Sequence, residues 1–158
     1  AKQVGEKARF IELAGEINTA MPEKVVETLS TSLKDQFNKS LDGSIILLVG
    51  LAYKKNVDDT RESPALVLID LLEDRGSKVD YFDPYVPIIP VTRKHSHLAG
   101  RKSIKWVPAD ISKYDAALIC TDHDGPDYSG LVDHSRLVVD TRNVIARIPL
   151  NSEKVKKA

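Results

Sequence analysis

The sequence predicts an α/β protein, a Rossmann-like doubly wound parallel sheet preceded by a long N-terminal helix. Fully apolar segments alternate with amphipathic ones, as they do when strands of a parallel sheet alternate with helices. The first such pair is SIILLVG (residues 44–50) followed by SPALVLIDLLEDRG (residues 63–76). An apolar stripe at helical spacing precedes both segments. We therefore divide the chain into a connecting helix, residues 1–41, and a Rossmann-like domain, residues 42–158.

Composition narrows the class of protein further. The 158 residues suit one ordinary domain with an appended element, and 23 basic residues balance 23 acidic ones. Such a balance gives no reason to expect nucleic acid or an anionic membrane as a partner. No apolar run reaches the roughly 20 residues that span a bilayer. The only cysteine, Cys120, excludes an internal disulfide and indicates a cytoplasmic protein.

The N-terminal segment ARFIELAGEINTAMPEKVVETLSTSLKDQF (residues 8–37) predicts a long helix. Its apolar residues recur at helical spacing: Phe10, Leu13, Ala14, Ile17, Met21, Val25, Leu29 and Leu33. Pro22 is expected to kink or divide the helix, because proline lacks the amide donor. A domain of this size has little surface left to bury so long a stripe. We therefore expect the helix to pack against a partner and to form a homodimer.

The first strand, helix and second strand form a predicted βαβ unit. Residues 44–50 are apolar on both faces, as central parallel strands are. Ser63 is a predicted N-cap, Pro64 occupies the first turn of the helix, and Gly76 ends it. The segment KVDYFDP (residues 78–84) then alternates as a strand does.

The rest of the domain continues the alternation less regularly. A loop with several prolines and histidines (residues 84–101) leads to a short predicted strand at residues 104–107. Two buried strands, DAALICT (115–121) and RLVVDT (136–141), are separated by room for a short helix. The lysine-rich tail from Glu153 is expected to fray.

Ligands of open α/β sheets bind at the carboxyl ends of the strands. Here that rule selects three loops, residues 53–62, 121–124 and 141–143. Arg61 and Arg142 each carry a planar fork of donors, and Lys54 carries a point charge, so the loops suit a phosphate or carboxylate ligand. Internal ion pairs in a solvated loop would account for the same charges.

The dinucleotide fingerprint G-x-G-x-x-G is absent after the first strand. Gly50 is followed by Leu51, Ala52 and Tyr53, which block the close approach of backbone to a pyrophosphate. Asp83 could pass for the ribose-binding acid, but a turn with Pro84 accounts for it better.

Cysteine and histidine are two further candidates for reactive or metal-binding groups. Cys120 lies within a predicted buried strand, where a thiol is usually inert. His95 and His97 resemble a metal pair, but no cysteine or third histidine is near in sequence, so we predict a surface loop and no metal site. His123 follows a strand, which is compatible with a site but not specific for one.

Several separated motifs resemble the UDP-glucose/GDP-mannose dehydrogenase family. They are GLAYKKNVDDTRESPA (50–65), YFDPYVP (81–87), ICTDHD (119–124) and VVDTRNVI (138–145), in the family's order. ARFIELAGEINTAMPEKVV (8–26) resembles the family's central connecting helix. The details are most similar to the bacterial UDP-N-acetylglucosamine 6-dehydrogenase branch.

The resemblance implies an NAD-dependent oxidation of a nucleotide sugar at its C6 hydroxyl, which becomes a carboxylate. In the family, the sugar passes through a thiohemiacetal and a thioester on a catalytic cysteine. That cysteine and the N-terminal NAD-binding domain are expected to precede Ala1 in a longer protein. The role does not transfer to Cys120, so no catalytic residue is assigned in this chain.

The resemblance also implies the binding residues. Those assigned to the UDP-sugar are Arg9, Asn18, Tyr53, Lys54 and Arg142. Tyr53 and Lys54 match the family's aromatic–lysine pair, and Arg142 matches its arginine beside the nucleotide. Arg9 matches a residue that contacts substrate in the neighbouring subunit. Arg61 matches an arginine that reaches the NAD held by the other domain.

Two hypotheses of different class follow from these observations, besides a third in which the chain is a scaffold domain with no ligand, which a failed UDP titration would support. The chain is either the UDP-binding and dimerising part of a nucleotide-sugar dehydrogenase, inactive by itself, or a stand-alone binding or regulatory module of the same fold. An upstream cysteine motif in the same reading frame would favour the first hypothesis.

Overall fold

The computed structural model describes residues 21–149 and 152–158. Arg9 and Asn18, both predicted to contact substrate, lie outside the described residues, as does the first half of the predicted N-terminal helix. No helix of the described part of the chain is both long and apolar enough to cross a membrane.

A five-stranded parallel sheet forms the centre of the molecule. Its strands are β1 (Ile45–Val49), β2 (Lys78–Phe82), β3 (Ala116–Ile119), β4 (Val138–Asp140) and β5 (Val155–Lys157). Their spatial order is β2-β1-β3-β4-β5, and every neighbouring pair is parallel. The order reverses direction between β1 and β3, the topological switch point at which such sheets bind ligands. The predicted doubly wound fold is confirmed.

Helices cover both faces of the sheet. The chain is helical over residues 21–37 (α1), and the later helices are α2 (Pro64–Asp74), α3 (Pro108–Ile111) and α4 (Tyr128–His134). Alternate residues of β1 point to opposite faces, so Ile46 and Leu48 pack with α1 and α2. Leu47 and Val49 pack with α3 and α4 on the other face.

Helix α2 begins and ends as its sequence predicts. The Ser63 hydroxyl accepts a hydrogen bond from the amide of Ala65 at 3.3 Å and donates one to the carbonyl of Leu51 at 2.6 Å. Pro64 occupies the first helical position. Gly76 follows the helix with a φ of +93°, in the left-handed region that glycine adopts easily. The cap therefore also fixes the distance between α2 and the end of β1.

The apolar stripe was expected to pack against a partner, but the part of it that lies in α1 packs against the domain itself. Val25, Leu29 and Leu33 are buried in the same cluster as α2 and the sheet, so the domain itself covers them. The reason is that α2 alone does not cover this face of a five-stranded sheet. An ion pair of 2.6 Å between Lys39 and the buried Asp115 fastens the chain after α1 to the start of β3.

Two local predictions are wrong. Residues 104–107 form no strand: the amide of Ile104 bonds to the carbonyl of Tyr81 at 2.9 Å, and Trp106 packs on Phe82 with ring centroids 4.7 Å apart. The apolar residues of this segment cover one face of the sheet instead of extending it.

The lysine-rich tail, expected to fray, forms β5 along β4. The backbone amides and carbonyls of the tail pair with the open edge of β4, and this pairing does not depend on the side chains. A pattern of side chains therefore does not predict it.

Candidate functional site

Gly50 brings the ends of β1 and β3 into contact at the switch point. Its φ is +88°, and a Cβ at this position would lie 2.4 Å from the carbonyl oxygen of Thr121. The Thr121 hydroxyl donates to the carbonyl of Ala52 at 2.6 Å. Only glycine fits both the left-handed backbone and the close approach.

Asp83, which follows β2, holds the loop after β1. One carboxylate oxygen accepts hydrogen bonds from the amides of Leu51 at 2.7 Å and Ala52 at 2.9 Å. The other accepts from the amide of Tyr85 at 2.8 Å, which forms the predicted turn around Pro84. The two amides that this loop could otherwise donate to a pyrophosphate are therefore already hydrogen-bonded to Asp83. This is a second reason, besides the missing glycines, why the loop forms no dinucleotide cradle.

His123 connects Asp83 to the tip of the same loop. Its Nε2 lies 2.9 Å from the Asp83 carboxylate, and its Nδ1 accepts the amide of Asn56 at 2.8 Å. Because Nδ1 is an acceptor, the ring proton is on Nε2, which donates to Asp83. His123 is 1% exposed, and the ring of Tyr85 packs on it with centroids 4.7 Å apart. The loop is thus held at its start and at its tip.

The charge state of Asp83 results from two opposing effects. Burial by itself would raise the pKa of this carboxyl, but the hydrogen bonds from His123 and from the amides of Ala52, Leu51 and Tyr85 outweigh it, so the pKa lies below its usual range. Asp83 is therefore an anion that is fully used in holding the loop.

A cavity of about 650 Å³ opens at the carboxyl ends of β1, β3 and β4 and extends to α1 and α2. It is lined by Met21, Pro22, Val25, Tyr53, Lys54, Glu62, Pro64, Leu68, Cys120, Thr141 and Arg142. The structure thus brings together three of the residues that the sequence assigned to the substrate. Arg61 lines a separate cavity with residues of the loop that follows β2.

Lys54 and Arg142 leave their charge available to a ligand. Neither forms an ion pair with any residue in the described ranges 21–149 and 152–158. Arg142 is positioned by its Nε, which donates to the carbonyl of Cys120 at 2.8 Å, and by its amide, which donates to Asp140 at 2.9 Å. The two terminal nitrogens of its guanidinium remain for an anion.

Arg61 is in the opposite situation. Its guanidinium forms two parallel bonds of 3.0 Å to Asp59, and its side chain is 86% exposed. The hydrogen bond from Arg61 holds the pKa of Asp59 at about 2. The ion-pair explanation of the charged loop therefore applies to Arg61, but not to Lys54.

Three of the four non-glycine residues with positive φ in the described part of the chain lie in the loops after β1 and β4, which contribute to the cavity. Asn56, Glu62 and Asn143 have φ values between +57° and +63°. Asparagine tolerates this left-handed region, whereas for glutamate it costs about 1–2 kcal/mol. Glu62 immediately precedes the α2 cap and lines the cavity, so the strain lies where the loop turns into the helix.

Cys120 is buried, as its predicted strand environment implies. It is 3% exposed, and burial raises the pKa of its thiol to about 12, which the nearby Arg142 lowers only in part. A thiol in this state supplies little thiolate at neutral pH.

Sequence reasoning missed the anchoring role of Asp140 and underrated Asp83 and His123. Asp140 accepts the amides of Arg142 and Ile145, both at 2.9 Å, and so shapes the loop after β4. Their positions in the sequence could have indicated this role. Asp83 directly follows β2 and Asp140 is the last residue of β4, where the amides of the next loop need acceptors.

The parallel doubly wound sheet and the cationic cavity at its switch point define an α/β ligand-binding domain for an anionic ligand. Residues 47–147 match the family model described as "UDP-glucose/GDP-mannose dehydrogenase family, UDP binding domain". The chain belongs to this family, and the resemblance inferred from its motifs is confirmed.

Individual relatives agree with this assignment. The chain is 28% identical to the UDP-glucose 6-dehydrogenase of Haloferax volcanii, over 93% of this chain and 33% of that protein. It is 30% identical to the UDP-N-acetyl-D-mannosamine dehydrogenase of Pyrococcus horikoshii, over 89% of this chain and 31% of the relative. The chain thus spans about a third of the length of the curated relatives it matches.

Solved structures give the same result. The UDP-N-acetyl-D-mannosamine dehydrogenase of Pyrococcus horikoshii superposes with a TM-score of 0.72 at 28% identity, over 93% of this chain and 32% of that one. The UDP-N-acetyl-mannosamine dehydrogenase of S. aureus superposes with a TM-score of 0.67 at 27% identity, over 96% and 33%. The relatives are named for two different sugars, UDP-glucose and UDP-N-acetyl-mannosamine, so the branch inferred from sequence remains a prediction.

Proposed function

We propose that this chain is the UDP-sugar-binding, C-terminal part of an NAD-dependent nucleotide-sugar 6-dehydrogenase, which supplies a uronic acid precursor for polysaccharide synthesis. The diphosphate lies in the cavity at the switch point, and Lys54 and Arg142 neutralise it. The sugar is of the UDP-N-acetylglucosamine or UDP-glucose type. Arg9 and Asn18, outside the described residues, complete the substrate contacts.

The observation that carries this proposal is a pair of cations, Lys54 and Arg142, that have no ion-pair partner among residues 21–149 and 152–158. They come from loops that follow different strands, and they line one cavity with Tyr53. A diphosphate requires donors that converge on it from several directions, and charge-assisted bonds to phosphate are the strong class of hydrogen bond. Tyr53 supplies an exposed aromatic face at the same place.

The NAD cofactor does not fit the β1–α2 turn of this chain, because Asp83 already binds the amides of Leu51 and Ala52. We therefore assign the hydride acceptor and the catalytic cysteine to the remaining two thirds of the protein. Arg61 reaches NAD from the second cavity, away from the UDP site. This chain alone should reduce no NAD.

The proposal is tested by calorimetric titration of UDP into the chain and its variants. Each charge-assisted contact contributes about 1.5–3 kcal/mol, less where water reaches it, so Lys54→Ala and Arg142→Ala should each weaken binding at least about fivefold. Lys55→Ala is the matched control, because Lys55 is an exposed neighbour that does not line the cavity. Arg61→Ala should also retain the affinity of the parent chain.

Equal losses in Lys54→Ala, Lys55→Ala and Arg61→Ala would mean that binding depends on diffuse charge and not on a site. A parent chain that binds no UDP would refute the site assignment. The same samples mixed with NAD and a UDP-sugar should form no NADH, and formation abolished by Cys120→Ser would refute the assignment of catalysis to the rest of the protein.

We further propose that residues 1–41 connect the two halves of the enzyme and form its homodimer contact. The support is in the sequence, where Phe10, Leu13 and Ile17 recur at the same helical spacing as Leu29 and Leu33, which the domain buries. A cytoplasmic location is consistent with the lone, reduced cysteine.

A further inference from the structure

Two histidines of the loop after β2 converge on one carboxylate of helix α2. The Nδ1 of His95 lies 2.6 Å from one oxygen of Asp70, and the Nε2 of His97 lies 2.5 Å from the other. The three ligand atoms lie within 4.8 Å of one another. The proposed UDP site uses none of these residues.

The framework around this cluster is firmly held. The amide of His95 donates to the Thr92 hydroxyl at 3.2 Å, and Leu98 is fully buried beneath the turn. Arg101, which ends the loop, forms a 2.9 Å ion pair with Glu73, less than one helical turn from Asp70. The ligand groups therefore come from a helix and a loop that is tied to that helix by other contacts.

The base of the loop is closed by backbone hydrogen bonds as well. Ile89 donates its amide to the carbonyl of Arg101 at 2.9 Å, and Gly100 donates its amide to the carbonyl of Ile89 at 2.8 Å. A site on such a support is largely formed before a ligand arrives, which lowers the entropic cost of binding.

We propose that Asp70, His95 and His97 bind one divalent transition-metal ion, of which Zn²⁺ is the best match. Two imidazoles and one carboxylate form the three-ligand set of zinc sites that retain an open position, and the metal–ligand distances required are about 2.0–2.2 Å. Modest rotations of the side chains replace the present hydrogen bonds with metal bonds. His97 has a side chain that is 58% exposed, so water completes the coordination and the ion enters from this side.

Metal binding changes the positions of the protons on the two imidazole rings. The nitrogens that bind the metal are those that now face Asp70, so each neutral ring carries its proton on the other nitrogen once the metal is bound. A ring that is cationic beforehand releases one proton to solvent. Metal affinity should therefore fall as the solution becomes more acidic.

The bound ion would fasten the loop after β2 onto α2. His95 also lines the second cavity, together with Arg61, so the metal would stiffen one wall of that cavity. The sequence predicts no metal site because neither a cysteine nor a third histidine is near His95 and His97 along the chain. The third ligand is Asp70, which is 25 residues from His95 in sequence and adjacent to it only in the fold.

The experiment is a titration of the metal-free chain, without a histidine tag, with Co²⁺ followed by absorption and with Zn²⁺ followed by calorimetry. One equivalent should bind, with the intense visible bands of Co²⁺ in a low-coordinate site, and Zn²⁺ should raise the melting temperature. Asp70→Asn, His95→Gln and His97→Gln should each lower the affinity at least about tenfold. The matched control is His134→Gln, an exposed histidine outside the cluster, which should bind as the parent chain does.

A parent chain that binds neither ion would overturn the proposal, as would undiminished binding in both His95→Gln and His97→Gln. An equal loss in His134→Gln would reveal non-specific surface binding. His97→Gln changes the most exposed ligand and should fold normally, so its circular dichroism and UDP affinity separate lost metal binding from lost structure.

Discussion

At the switch point, buried carboxylates accept the loop amides that a glycine-rich turn would offer to a phosphate. Asp83 accepts the amides at the start of the loop after β1, and Asp140 does the same for the loop after β4. With their backbone donors satisfied internally, these loops present side chains to the cavity. In the proposed function, Lys54 and Arg142 then bind the diphosphate by charge, where a glycine-rich turn would bind it by amides.

Replacing Asp83 with asparagine should destabilise the domain at neutral pH. Asparagine carries two donors, so at least one of the buried donors around it loses its acceptor, at a cost of about 1–3 kcal/mol. The pKa of Asp83 is lowered in the folded state, so its charge contributes stability above the unfolded-state pKa of about 3.9, and that contribution is lost as the pH falls through the folded-state value. The deficit of Asp83→Asn should therefore shrink in acid.

Urea unfolding of both proteins at pH values from neutral to strongly acid measures this difference. Asp133→Asn is the control, because Asp133 is exposed, and its variant should match the parent chain throughout. A deficit for Asp83→Asn that stays constant or grows in acid would contradict the assigned charge state.

At the scale of elements, specific contacts join β1, the loop that follows it and α2 to one another and to the end of β3. Gly50 allows the turn to touch the end of β3, and the Ser63 hydroxyl joins the α2 cap to the carbonyl of Leu51. The cavity opens beside these contacts, at the carboxyl ends of the neighbouring parallel strands β1 and β3.

Gly50→Ala should be among the most damaging single changes in the domain. The new methyl group would meet the backbone of Thr121, which cannot rotate away, and the left-handed conformation adds strain, for a total cost of about 2–5 kcal/mol. Gly125→Ala is the matched control, because nothing lies within 4 Å of its Cβ position. Thermal unfolding of the two variants gives the comparison, and a Gly50→Ala protein as stable as Gly125→Ala would contradict the account.

At the scale of the whole molecule, we assign two roles to the apolar stripe of the N-terminal segment. Its later residues, including Leu29, complete the core of this domain. Its earlier residues, including Leu13, are those that we assign to the dimer contact.

Light scattering on two variants separates these roles. Leu13→Asp should leave a folded monomer, because only the dimer contact loses apolar surface. Leu29→Asp should fail to fold, because it buries an unpaired charge in the core. The dimer assignment is wrong if the parent chain is a monomer at high concentration, or if Leu13→Asp remains a dimer.

Local sequence patterns by themselves determined most of the elements. The apolar segments of β1, β3 and β4, the Ser63 cap and the Gly76 stop of α2 depend on neighbours in sequence, so they can be predicted from it. The motifs also sufficed for the family and for placing Tyr53, Lys54 and Arg142 at strand ends.

Tertiary structure alone decided what depends on contacts between distant residues. The tail forms β5 because β4 offers an open edge for pairing. The apolar residues of α1 are buried in the core because α2 alone does not cover this face of the sheet. Asp83 met His123 and Asp70 met His95 across 40 and 25 residues of sequence, respectively. Such pairs follow from the order of strands in the sheet, and no periodicity along the chain encodes that order.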